Sequence, residues 1–156
     1  MKWVFAPHEI GSANIERLSK LIGEGVVKFS GFTEKEKDAR VMIIDNIGRL
    51  SSAYRYADIA AVGGGFGKGI HNILEAACWG IPVLFGPNHG KFREALMMKA
   101  EGAAKSFSSY GDFEAAVDNW LSDEESYMDA ADSAREYVRK NSGATAAIIK
   151  KIQKPG

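Results

Sequence analysis

Apolar residues come in six short bursts along this chain, at Trp3–Ala6, Val26–Phe29, Val41–Asp45, Ile59–Val62, Pro82–Phe85 and Ala103–Phe107. Several are apolar throughout, without the in–out alternation of a half-solvated strand. That is the pattern of parallel strands covered on both faces. Between the bursts the spacing changes to i, i+3, i+4. Ile15, Leu18 and Ile22 mark a first helix that Gly23 ends. Leu50, Ala53, Tyr54 and Ala57 mark a second, with Asp45 or Asn46 as its cap. Helices are predicted over Ile70–Trp79 and Phe92–Ala100, and again from the stripe Phe113, Ala116, Val117, Trp120, Leu121. Tyr127, Ala131, Ala134 and Val138 continue in a long helix, and a last one runs from Ala144 towards Lys151. The mixed-charge stretch Thr33–Arg40 reads as a solvated loop or helical turn. Such alternation predicts an α/β fold: a Rossmann-like, doubly wound parallel sheet of about six strands with helices on both faces.

Composition narrows the picture. The 156 residues suffice for one domain with a core, and 46% are hydrophobic. Twenty basic and twenty acidic residues cancel, which gives no electrostatic reason to expect a nucleic-acid partner. Cys78 is the only cysteine, so no intrachain disulfide can form, and its apolar run Ala76-Ala77-Cys78-Trp79 predicts a packed thiol. Apolar stretches are cut by Gly63, Gly80, Pro82 and Gly86 well before the roughly 20 residues a bilayer needs. Pro7, His8 and Glu9 end the first apolar run too early for a signal peptide, so a strand is the better reading. A core strand almost at Met1 suggests a fragment of a longer protein. The tail lysines Lys150, Lys151 and Lys154 read as a solvated terminus rather than a lipid contact.

The chemistry concentrates after the fourth burst, at Gly63-Gly64-Gly65-Phe66-Gly67-Lys68-Gly69-Ile70-His71-Asn72-Ile73-Leu74-Glu75. Glycines let backbone N–H groups approach an anion, and a helix start adds unpaired N–H groups and partial positive charge. Five glycines in seven positions exceed what a tight turn requires. The dinucleotide fingerprint fails because Lys68 stands where a third glycine belongs, and the P-loop fails for want of a Ser or Thr after Lys68. With Glu75 three and four residues beyond Asn72 and His71, a helix would place all three on one face. Glu75 then accepts from ribose hydroxyls while His71 or Asn72 donates to phosphate; the structural alternatives are dipole compensation for Glu75 and capping for His71. The pair His71 and Glu75 lacks a third ligand, so no metal site is expected. In the common strand order 3-2-1-4-5-6 the ligand crevice opens between strands one and four. His8 and Glu9 end strand one and either face that crevice or cap the first helix. Lys68, Asn88, His89 and Lys91 are candidates for phosphate or sugar contacts, with an ordinary polar loop as the alternative.

Taken together, several blocks resemble the C-terminal domain of 3-deoxy-D-manno-octulosonic acid (Kdo) transferases, in the GT-B glycosyltransferase superfamily. They are Asp45-Asn46-Ile47-Gly48-Arg49-Leu50, Tyr54, Ala57-Asp58, Val62-Gly63-Gly64, His71-Asn72-x-Leu74-Glu75 and Gly80-x-Pro82-Val83-Leu84-Phe85-Gly86-Pro87. The later Glu101-Gly102-Ala103-Ala104 and Asn141-Ser142-Gly143-Ala144 match its rhythm. Where the family usually reads Gly-Gly-His-Asn-Pro-Leu-Glu-Pro, this chain reads Gly69-Ile70-His71-Asn72-Ile73-Leu74-Glu75-Ala76, and Arg49 replaces the usual Glu.

The resemblance implies one donor-binding domain over residues 1–156, half of a two-domain enzyme whose N-terminal domain holds the acceptor site and the catalytic base. No catalytic residue is then expected in this stretch. It implies that Gly63, Gly64, Gly65, His71 and Asn72 contact the phosphate of CMP-Kdo and Glu75 its ribose. Gly48 would lie near the base, and His8 and Glu9 would match the family's strand-one motif. The implied activity is transfer of Kdo to a lipid A precursor, without a cofactor or metal, at the cytoplasmic face of the bacterial inner membrane with peripheral attachment of the full-length enzyme. Alternatives are a UDP-sugar-dependent transferase or epimerase domain, or a non-catalytic nucleotide-binding module.

Overall fold

In the computed structural model, which describes residues 1–153, all six apolar bursts contain a strand of three residues. The chain divides into two compact units, Met1–Ala53 and Tyr54–Gly156.

The first unit holds β1 (Trp3–Phe5), α1 (Ser12–Ile22), β2 (Val26–Lys28), β3 (Val41–Ile43) and the single turn α2 (Leu50–Ala53). Gly23 ends α1 as its spacing predicts, its N–H donating to the Ser19 carbonyl at 3.0 Å. Glu34–Glu36 is a 3-10 turn closed by a reciprocal Thr33–Glu36 capping box, so the mixed-charge connector is a structured turn. The strands are parallel in the order β1-β3-β2, with Val4 and Val27 both in register with Met42. This corrects the assumed order 3-2-1, in which β2 would lie centrally. Ile43 and Ile44 are buried, whereas Lys28 on β2 is exposed and Trp3, Val4 and Phe5 on β1 are 40%, 58% and 38% exposed. The most buried strand takes the central place, and β1 is not covered on both faces. Asp45 does not cap α2: its carboxylate accepts from Ser30 N at 2.9 Å and Ser30 Oγ at 2.5 Å.

The second unit opens with the 3-10 turn Tyr54–Tyr56, which replaces the predicted continuation of α2. It then runs β4 (Ala60–Val62), α3 (Leu74–Ala77), β5 (Val83–Phe85), α4 (Arg93–Ala100), β6 (Ala104–Ser106), α5 (Tyr110–Ser122), α6 (Glu124–Asn141) and α7 (Ala144–Ile152). Its strands are parallel in the order β4-β5-β6, as expected for this half. Three-residue strands bring little ladder of their own, so burial decides. Val83, Leu84 and Phe85 are all fully buried, each contributing about 1.5–3 kcal/mol by leaving water. Val83 and Phe85 enter one core layer with Ile73, Ala76, Met98, Ala134 and Tyr137, while Leu84 enters another with Ala116, Val117, Trp120 and Ala130. Side chains alternating across β5 therefore feed both faces of a doubly wound sheet.

Sequence missed the caps of the longest helices. Ser109 and Asp112 form a capping box at α5, and Asp123 accepts from Ser126 N at the start of α6. Cys78 is exposed, with its thiol donating to the Glu75 carbonyl at 3.2 Å, so the packed thiol is not found. Lys150 and Lys151 are exposed, and Lys154 lies outside the described residues. Among the described residues, no helix is long and apolar enough to cross a membrane.

Candidate functional site

The glycine run after β4 folds back on itself. Gly64 and Ile70 form an antiparallel bridge, His71 N donates to Gly63 O at 3.0 Å, and Gly65 N donates to Gly69 O at 2.6 Å. Gly63–His71 is thus a narrow hairpin with Phe66, Gly67 and Lys68 at its tip, all exposed. Gly64 and Gly65 adopt φ of 86° and 75°, which side chains seldom tolerate.

This hairpin corrects the predicted helix over Ile70–Trp79. The His71 amide is committed to the loop, so regular helix is confined to Leu74–Ala77, barely one turn. His71 and Asn72 precede the helix rather than lying on it, and a single turn supplies little of the expected dipole. Asn72 still joins Glu75 by another route. Its Oδ1 accepts from Leu74 N at 3.0 Å, a side-chain turn just ahead of the helix, while its Nδ2 donates to Glu75 Oε1 at 3.0 Å. Asn72 is exposed and Glu75 half-buried. The Tyr54 phenol lies close enough to Glu75 to respond to its charge: burial pushes its pKa up, and the carboxylate adds to the shift. The His71 ring lies over Gly63, where an added Cβ would stand 3.7 Å from His71 Nδ1.

The turn after β5 braces the hairpin. Asn88 N donates to Gly65 O at 2.8 Å, and Asn88 Nδ2 donates to Gly67 O at 3.0 Å. Gly86 packs directly on Gly65, and the Phe92 ring fills the space beside Gly69. His89 is turned inward, its ring edge-on to Phe85 with centroids 5.0 Å apart and its Nδ1 3.2 Å from Gly86 O. Lys68 and Lys91 are exposed. At the tip, the Phe66 ring is 59% exposed yet rests against Phe107, centroids 5.3 Å apart. Sequence reading passed over Phe66, Gly86 and Phe92 because each lies outside the polar positions that signal ligand chemistry. The readable sign was the Gly86-Pro87 turn closing the strand next to the glycine run.

Residues His8, Glu9 and Gly48 belong to the first unit. Glu9 holds the start of α1, its Oε2 and its carbonyl accepting from Asn14 Nδ2 at 3.1 and 3.3 Å. His8 follows β1 and is exposed. Gly48 occupies the turn between β3 and α2, with open space where a Cβ would project. Among the described residues no group of three or more His, Cys, Asp or Glu stands together as metal ligands would.

Comparison with known proteins places the chain in a family. Over 106 residues the chain is 38% identical to a 3-deoxy-D-manno-octulosonic acid transferase of Aquifex aeolicus, covering 66% of this chain and 29% of that protein. It is 29% identical over 116 residues to the enzyme of the same name from Haemophilus influenzae, covering 72% and 27%. The chain thus spans less than a third of the length of either relative. Its fold matches the crystal structure of the C-terminal CMP-Kdo binding domain of WaaA from Acinetobacter baumannii, with a TM-score of 0.75 at 18% identity, over 86% of this chain and 72% of that one. A family profile described as glycosyl transferases group 1 matches residues 18–137, most of the chain, and the chain belongs to that family.

Proposed function

We propose that this chain is the donor-binding domain of a Kdo transferase, holding CMP-Kdo while an acceptor domain outside the matched stretch presents a lipid A precursor. The observation that carries the reading is the Asn72–Glu75 pair, linked at 3.0 Å beside the glycine hairpin. Glu75, its charge oriented by Asn72, accepts from the paired ribose hydroxyls. The tip amides of Phe66, Gly67 and Lys68 and the His71 side chain meet the phosphate. As the bond from the Kdo anomeric carbon to the phosphate oxygen breaks, that oxygen keeps the electron pair and CMP leaves with more negative charge. On this reading, hydrogen-bond donors of the loop held near that oxygen offset the growing charge. Lys68, exposed at the tip, adds a positive charge.

The reaction uses neither metal nor cofactor on this reading, and the base that activates the acceptor lies outside this chain. The whole enzyme would act at the inner face of the bacterial inner membrane, attached peripherally. Titration of the ¹⁵N-labelled chain with CMP, UMP and inorganic phosphate tests the assignment. CMP should shift the amides of Gly63–Glu75 at lower concentration than UMP or phosphate. A preference for UMP would transfer the chain to the uridine-nucleotide branch of the family, and no response to any nucleotide would leave it a non-catalytic module.

A further inference from the structure

We infer that Asn88 is a positioning residue that sets the shape of the glycine hairpin, rather than a ligand contact; the functional part of this inference rests on the donor-binding reading above. Asn88 holds the loop at two points, by its backbone N–H to Gly65 O at 2.8 Å and by its side-chain amide to Gly67 O at 3.0 Å. These carbonyls lie on either side of Phe66. The exposed tip Phe66-Gly67-Lys68 lies beyond the hydrogen bonds that close the hairpin, Gly65 N to Gly69 O and His71 N to Gly63 O, so its backbone needs an outside partner to resist fluctuation. The Phe66 ring rests on Phe107, and the Asn88 amide holds the tip backbone through Gly67 O. By pulling the Gly67 carbonyl towards the β5 turn, it turns that peptide's opposite edge, the N–H of Lys68, away from the turn.

The anchor is itself firmly placed. Asn88 follows Gly86-Pro87 at the end of the fully buried β5, and Gly86 is wedged against Gly65. His89 locks the next position by its ring on Phe85 and its Nδ1 at Gly86 O. The turn is therefore tied to the core, and Asn88 passes that rigidity to the loop. A polar residue chosen only for solvation would not place its amide on a carbonyl 21 positions away.

The test separates positioning from direct contact by reading the loop without ligand. Asn88→Ala in the ligand-free chain should speed amide hydrogen exchange at Gly65 and His71, the two amides that donate across the hairpin, and shift the Gly67 and Lys68 resonances, with the unfolding midpoint nearly unchanged. CMP affinity should then fall about three- to tenfold, the usual consequence of losing one hydrogen bond. Asn88→Gln, which keeps the amide donor, should recover part of both effects. Unchanged exchange and shifts in the ligand-free variant would overturn the inference, whatever happens to affinity. If Asn88→Ala does not fold, Asn88→Asp keeps the shape and the backbone donor, loses the side-chain donor, and should give the same loop signature. If the parent chain binds no CMP, the donor-binding reading fails while the exchange result still decides whether Asn88 sets the loop.

Discussion

Gly65 and Gly86 meet backbone to backbone: a Cβ on Gly65 would stand 2.7 Å from Gly86 Cα, and one on Gly86 2.7 Å from the Gly65 carbonyl carbon. Neither neighbour is the end of a flexible side chain that could swing aside. Gly86→Ala should therefore destabilise the chain by roughly 1–3 kcal/mol, the usual cost of overpacking a close contact. Gly65→Ala should cost at least as much, because it adds strain at a positive φ. Gly67→Ala is the control, with open space around its Cβ, and should be neutral or stabilising by up to about 1 kcal/mol. Urea unfolding of the three variants ranks them; equal effects would show that the glycine contact does not govern the loop.

Asp112 gives the chain an acid-sensitive joint. Its carboxylate accepts from Ser108 Oγ, Ser108 N and Ser109 N, which holds its pKa down at about 2 against an ordinary 3.8. Since the folded value is the lower one, its stabilisation is complete above 3.8 and disappears as pH falls through about 2. Melting temperature against pH should fall through that window, and Asp112→Asn should flatten the slope there. Some slope should persist, because the Arg139 pairing depresses Glu136 to about 2 as well.

Asn72 serves two neighbours, and its variants separate them. Asn72→Ala removes both the acceptor for Leu74 N and the donor to Glu75, and loss of a hydrogen bond of this kind costs about 0.5–1.5 kcal/mol. Asn72→Asp keeps the acceptor but sets a second carboxylate against Glu75. It should retain most of the stability in urea titration while weakening CMP binding as much as the alanine variant does. Full CMP affinity in Asn72→Asp would remove the orienting role.

Core packing gives the largest expected effect. Phe85→Ala empties the centre of the larger layer and should cost about 3–5 kcal/mol, read as a lowered urea midpoint at unchanged slope.

What the sequence made legible follows from range. Burst positions place all six strands, because one short apolar run suffices to mark each. Gly23, a local stop signal, ends α1 as read. Strand order in the first sheet was not local: the centre goes to the strand carrying Ile43, which depends on comparing three strands and not on any one. The predicted helix at Ile70 failed for a similar reason. Its apolar spacing was real, but Gly69 and His71 spend their backbone on Gly65 and Gly63, and periodicity carries no record of that pairing. Asn72 and Glu75 met anyway, through a side-chain amide instead of a shared helical face. Asn88 was legible as a candidate ligand contact and Phe92 as a helix residue, but not as braces of the hairpin, since their partners lie some twenty positions back in the chain.

Strand β5 carries a further consequence. Adjacent residues on it serve different layers, so a slip of one position would deliver Leu84 to the space shaped for Phe85 and Val83 while offering a large ring to the smaller layer. Both fillings would fail at once. Three residues thus act as an alignment key for the second unit, and because β5 leads straight into Gly86, the same key fixes where the glycine hairpin can rest.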